Sequence, residues 1–194
     1  MWRNWQKSDI IAAVSAACAI AVFFFGILQY RSSENWKRSE FVAAQIKEFG
    51  SDKINDTVLK MMDYDPARVE LFPDKAKVDD RYVDVKFDML TKAIDKENGF
   101  TDIEFQIRIY FEYFLKSLSR FKYFLDSGAI EPQELCADFA YPVELMTGAV
   151  RELKLKNTGE DIEPFVKAVR GYLTRWEYRD ITDFMQKIQK TCNQ

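Results

Sequence analysis

The chain is 194 residues long, carries 28 basic and 31 acidic side chains for a formal net charge of −3, and contains no histidine. A mildly acidic chain offers no electrostatic footprint for a phosphate backbone, so no nucleic-acid partner is expected. Without histidine, Ser-His-Asp and Cys-His catalysis, HExxH zinc sites and histidine proton relays are excluded, and no motif for carboxylate, lysine or cysteine chemistry replaces them.

Residues 1–9, MWRNWQKSD, precede the uncharged run Ile10–Leu28, IIAAVSAACAIAVFFFGIL. At about 1.5 Å per residue this run makes a helix of about 28 Å, close to the roughly 30 Å hydrocarbon core of a bilayer. The run exceeds a signal-peptide h-region, and no A-x-A-like cleavage site follows Leu28. A single transmembrane helix therefore fits better than a cleaved signal or a buried core helix. Trp2 and Trp5 before it, and Tyr30 and Trp36 after it, sit where amphipathic rings prefer the headgroup level. Arg3 and Lys7 stand before the run; Arg31, Lys37, Arg38 and Lys47 follow it, with the N-terminal amine narrowing the gap. That bias favours a single-pass protein of the inner (plasma) membrane with its C-terminal domain in the cytoplasm. Ala13, Ala17 and Ala21 recur every four residues, a small-residue face through which the span can form a homodimer or higher oligomer. Alanine is also simply common in spans.

Residues 31–194 carry 26 basic and 30 acidic side chains and are long enough for one domain with a real core. Cys18 lies in the span, so Cys136 and Cys192 are the only cysteines beyond it and no disulfide framework is implied. Cys136 reads as packing on an apolar helix face. Asn55-Asp56-Thr57 fits the glycosylation pattern, which chance supplies often.

The span continues into a juxtamembrane helix over 29–50, with Trp36, Phe41, Val42, Ile46 and Phe49 on a loose apolar face and Gly50 at its end. Residues 51–194 form the soluble helical domain. Ser51 or Asp52 can cap a short helix bearing Ile54, Val58, Met61 and Met62. Asp63 to Arg68 is a turn, since Pro66 biases Asp65 away from helix. Arg68–Phe72 reads as extended, and 82–87 alternates Val83, Val85 and Phe87 with charged residues, so the two pair as a small antiparallel hairpin. A helix from about Asp84 to Ile94 competes, as does a strand to Lys86 followed by a short helix.

Residues 100–128 are the core helix of the domain. Thr101 and Glu104 make a capping box, Phe100 and Phe105 take the staple positions, and Gly128 takes the C′ position. Ile103, Ile107, Tyr110, Phe111, Phe114, Leu118, Phe121 and Leu125 form one face; Phe105, Ile109 and Tyr113 form a second. So wide an apolar surface predicts packing on more than one side. Pro132 opens another helix carrying Leu135, Phe139 and Tyr141. Pro142 predicts a kink or break near Ala140, after which the helix resumes through Val143, Leu145, Met146, Val150 and Leu153. A loop over 156–159 leads to helices at about 161–173 and 177–190, their apolar positions running from Phe165 through Trp176 to Ile188.

The segments YRSSENWKRSEFVAAQIKEF, MMDYDPARVEL, IRIYFEYFLKSLSRFKYFLDSGAI and LCADFAYP together resemble an uncharacterised family of bacterial single-span membrane proteins with a small cytoplasmic helical domain. The resemblance covers most of the chain and rests on apolar patterns; it implies no reaction and no functional residues. It leads to a tryptophan after Tyr141, where this chain has Pro142.

The expected fold is thus mainly α: one N-terminal transmembrane helix, then a helical domain with a small β-hairpin. Arg108 and Glu112 lie four residues apart on the aromatic helix, with Arg120 two turns beyond. They form either an i,i+4 ion pair or a contact for an anionic ligand or partner. Asp63 and Asp65, with Asp79, Asp80, Asp84 and Asp88 following, lack the calcium-loop spacing, and no metal or other cofactor is expected. The function expected is a membrane-anchored scaffold in contact with the lipid bilayer and one protein partner. The alternative is a ligand- or stress-gated membrane effector, as in bacterial defence, whose span oligomerises.

Overall fold

The computed structural model describes residues 7–149 and 161–192, in two compact units, Met1–Ala43 and Ala44–Gln194. The first unit belongs to helix α1, Lys7–Ser51, which runs without interruption from the apolar run through the juxtamembrane segment. From Val14 onward α1 is long and apolar enough to cross a membrane, with a mean hydropathy of 1.6 over its most apolar window and none of that window buried. No charge from Ile10 to Leu28 interrupts it, and Gly26 is accommodated within it.

The second unit is a helical domain with a two-stranded antiparallel sheet. Asp52 rather than Ser51 caps α2, Lys53–Asp63: its carboxylate accepts from the Ile54 and Asn55 amides at 2.9 and 3.0 Å. Asn55 is buried and donates to the Phe49 carbonyl, so the glycosylation pattern there is occupied by packing. β1, Ala67–Glu70, follows a cis Asp65–Pro66 bond and pairs with β2, Tyr82–Val85, in the register Ala67 to Val85 and Val69 to Val83. α3, Phe87–Asp95, starts two residues later, the strand-then-helix arrangement. Asp65 Oδ1 accepts from the Phe87 amide at 3.0 Å, so the turn before β1 caps the helix after β2.

α4, Asp102–Asp126, carries the expected capping box and ends at Gly128, whose φ of 71° is the left-handed conformation that glycine adopts without a Cβ penalty. Ile107, Phe111, Phe114, Leu115 and Leu118 are fully buried against α2, α3 and α7. A short turn at Pro132–Leu135 leads into α5, Cys136–Thr147. One expectation fails here. Pro142 does not break α5. Phe139, Pro142, Val143, Leu145 and Met146 are all buried, and that packing holds the helix through the one lost backbone bond. Gly148, at φ 76°, caps α5 after Thr147; the expected continuation through Val150 and Leu153 and the loop over 156–159 lie outside the described residues.

α6, Glu163–Arg175, and α7, Arg179–Cys192, close the domain. α3 packs on α6 through Phe87 and Phe165, 5.2 Å apart. The ring of Phe139 lies 4.8 Å from Phe49, 4.7 Å from Phe121 and 5.7 Å from Phe184. One aromatic cluster therefore joins the end of α1, α4, α5 and α7.

Cys136 and Cys192 form a disulfide, a pairing that the cysteine count did not imply. Each stands at the end of an apolar stripe: Cys136 precedes Phe139 and Cys192 follows Ile188 by one turn. The packing of α5 on α7 brings their Cα atoms to 5.4 Å, within bridging range.

Candidate functional site

Arg108 sits in the second turn of α4 and is only 8% exposed. A buried guanidinium needs acceptors for its fixed fork of donors. Arg108 Nη1 donates to the Lys96 carbonyl at 2.6 Å, and Nε to Glu112 Oε1 at 3.4 Å. Its flat faces meet aromatic rings: Tyr172 at 4.7 Å, Phe100 at 5.2 Å and Trp176 at 5.9 Å. Tyr172 in turn donates its hydroxyl to Glu112 Oε1 at 2.7 Å. Burial, and then that donation to a carboxylate, push the Tyr172 hydroxyl well above the usual tyrosine range. The group ties the loop before α4, α4 itself and α6 into one node.

This is the ion pair of the sequence reading, enlarged by three aromatic rings and a backbone carbonyl. Its Nε and Nη1 both donate inside the domain. Arg108→Ala is expected to cost about 2 kcal/mol, in line with hydrogen bonds to charged groups, and to lower the melting temperature by roughly 4–8 °C. Arg108→Lys is expected to recover less than half of that, because an ammonium neither stacks nor forks. Thermal denaturation of the three chains checks both.

Beside the node, Glu104 accepts from Lys96 Nζ and from the Thr101 amide, each at 2.8 Å. The Lys96 hydrogen bond first, and the Thr101 amide second, hold the Glu104 carboxyl at about 2, far below the usual carboxylate value. A depressed folded value gives stability that is present above the unfolded value of about 4.3 and is lost as pH falls toward 2. The melting temperature is expected to fall across that window, and Glu104→Gln to flatten the fall. An unchanged slope in a melting series from pH 5 to 2 would contradict this role for Glu104.

Arg120 does not join Arg108 and Glu112. It lies about 18 Å further along α4, at 1.5 Å per residue. Its guanidinium donates to Glu48 at 3.0 Å and to Gln45 at 2.9 Å, tying α4 to the last turns of α1. Asp63 accepts from the Tyr141 hydroxyl at 2.7 Å and Asp65 caps α3, so the two carboxylates serve different elements. No group of metal-ligating side chains occurs among the described residues. In the apolar run, Ala17 and Ala21 are exposed on α1; the side chain of Ala13 lies outside the described residues.

A groove of about 540 Å³ runs between α2 and β1, lined by Lys53, Lys60, Arg68, Glu70, Tyr82 and Tyr110. Its charges are of both signs. Lys60 is 2.6 Å from Asp56 and Arg68 is 3.7 Å from Asp84, so the lining selects no ligand charge.

The surface that stands out is the second face of α4. α4 packs against α2, α3 and α7, but the Phe105, Ile109 and Tyr113 face expected to join that packing lies outside it. Phe105 is 54% exposed and Tyr113 51%, with Ile109 partly exposed between them and Tyr123 67% exposed further along. Phe100 turns its ring to Arg108, and Phe105 faces water. Lys116 Nζ lies 5.1 Å from the Tyr113 ring, at the stripe's edge. The signal for exposure was available: Asp102 lies three residues before Phe105, Gln106 three before Ile109 and Lys116 three after Tyr113, so polar residues share this side of the helix. No family model, no curated protein and no solved structure matches the chain.

Proposed function

We propose that the protein is a membrane-anchored interaction domain, tethered by Ile10–Leu28 of α1 and binding a protein partner through the bare face of α4. The observation that carries this reading is the Phe105–Ile109–Tyr113 row, an apolar and aromatic stripe on a helix whose other side is fully buried. Aromatic side chains anchor protein interfaces because each brings a large, rigid contact area at small entropic cost. Lys116 at the edge suits a partner with acidic residues around an apolar centre. The resemblance of its sequence segments to bacterial single-span proteins supports a bacterial plasma membrane as that bilayer. The flanking charges favour a cytoplasmic domain, and the disulfide favours the opposite side. A gated effector has only the alanine face of the span for support.

The test is the double variant Phe105→Glu and Tyr113→Glu. Both side chains are surface groups, so stability is expected to move by no more than about 0.5 kcal/mol. Partner recovered from solubilised membranes is expected to fall at least tenfold, which corresponds to about 1.4 kcal/mol of binding energy. Full recovery with both charges in place would contradict this docking surface.

A further inference from the structure

We propose that Cys136 and Cys192 are an oxidation site served by a thiol–disulfide oxidoreductase, and that the domain therefore lies on the oxidising side of the membrane, with the N-terminal tail in the cytoplasm. The inference rests on α1 being the membrane anchor. Its first support is the pairing itself: two half-buried cysteines 56 residues apart in sequence are joined across α5 and α7. Cys18, the third cysteine of the chain, lies in the apolar run, so no other thiol of the domain competes for either partner. Neither cysteine belongs to a group of metal-ligating side chains among the described residues, which removes the common alternative for paired cysteines in a reducing compartment.

Disulfides persist where the surroundings are oxidising and are rare in the cytosol. Against this stands the flanking charge count, four basic residues after the run and two before it. That count is a small bias, and large domains translocate largely regardless of charge. The disulfide is the stronger of the two observations.

The chemistry balances by exchange. A thiolate of the pair attacks the active-site disulfide of the oxidoreductase and forms a mixed disulfide, releasing one partner thiolate. The second cysteine, as thiolate, then displaces the partner and closes the Cys136–Cys192 bond. The chain loses two electrons and two protons, and the oxidoreductase leaves as a dithiol. Both sulfurs are within reach of such a partner: Cys136 opens α5 and Cys192 ends α7, and neither is fully buried.

Two measurements on cells expressing the full chain test this. In the first, thiols are trapped in acid and alkylated with a polyethylene-glycol maleimide, before and after reduction, in a Cys18→Ala chain recovered from the membrane fraction. Two additions are expected after reduction and none before. In the second, Ser127→Cys is the sole cysteine, in a Cys18→Ala, Cys136→Ser, Cys192→Ser background. A membrane-impermeant maleimide is expected to label it in intact spheroplasts. This readout does not depend on the reduced domain being fully folded. Free thiols in the membrane-bound chain, or a reporter labelled only after permeabilisation, overturn the proposal while leaving the anchor intact. A chain recovered in the soluble fraction overturns the anchor and the proposal with it.

Discussion

Phe139→Ala is expected to lower the stability of the domain by about 3–5 kcal/mol, the cost of removing a large buried ring and leaving a cavity. The ring is fully buried and lies within 5.7 Å of Phe49, Phe121 and Phe184, so its loss strips contacts from four elements at once. Those elements are held by their helices and cannot collapse freely into the space. For a domain of this size the melting temperature is expected to fall by roughly 6–20 °C. Phe139→Leu keeps much of the volume and is expected to cost under about 2 kcal/mol. Thermal denaturation of the detergent-solubilised chain, followed by circular dichroism, reads both. A shift of under about 2 °C for the alanine variant would mean that the cluster is not the centre of the domain.

Breaking the Cys136–Cys192 disulfide is expected to cost about 3 kcal/mol, or roughly 6–12 °C in melting temperature. The bond closes a loop spanning 56 residues, and its main effect is to restrict the unfolded chain. The native packing of α7 does not depend on it, since Ile181, Phe184, Met185 and Ile188 stay buried against α4 and α5. The reduced protein is therefore expected to keep its helical signal at 25 °C and to melt earlier. Cys192→Ser is expected to match the reduced wild-type chain. Identical melting of oxidised and reduced protein would show that the bond restrains nothing.

Local signals in the sequence were enough for most elements. Thr101, Glu104 and Gly128 bound α4 because caps and left-handed glycines act within a few residues. The alternation Val83, Val85 and the run after Phe87 contained both a strand and a helix, and both are present in turn. What could not be read was tertiary. Pro142 lies inside α5 because neighbouring elements bury it and its neighbours Phe139 and Val143, a stabilisation invisible to local propensity. The disulfide depends on two stripes from distant helices ending at the same place. Arg108 and Glu112 were legible as a pair, but the rings of Tyr172 and Trp176 that enclose the arginine come from α6 and its C-terminal cap, some 60 residues on. The second face of α4 matches a core pattern in its aromatic residues yet stays exposed, because Asp102, Gln106 and Lys116 share it.

The most direct measurement is position-specific photo-crosslinking of the full chain in its native membrane. Benzoylphenylalanine at Tyr113 lies in the proposed docking stripe; at Asp183 it lies on the exposed side of α7. The account predicts one discrete heterologous adduct from Tyr113, abolished by Phe105→Glu, and none from Asp183. An adduct only with a second copy of the chain, or equal adducts from both positions, would contradict a partner-binding face on α4.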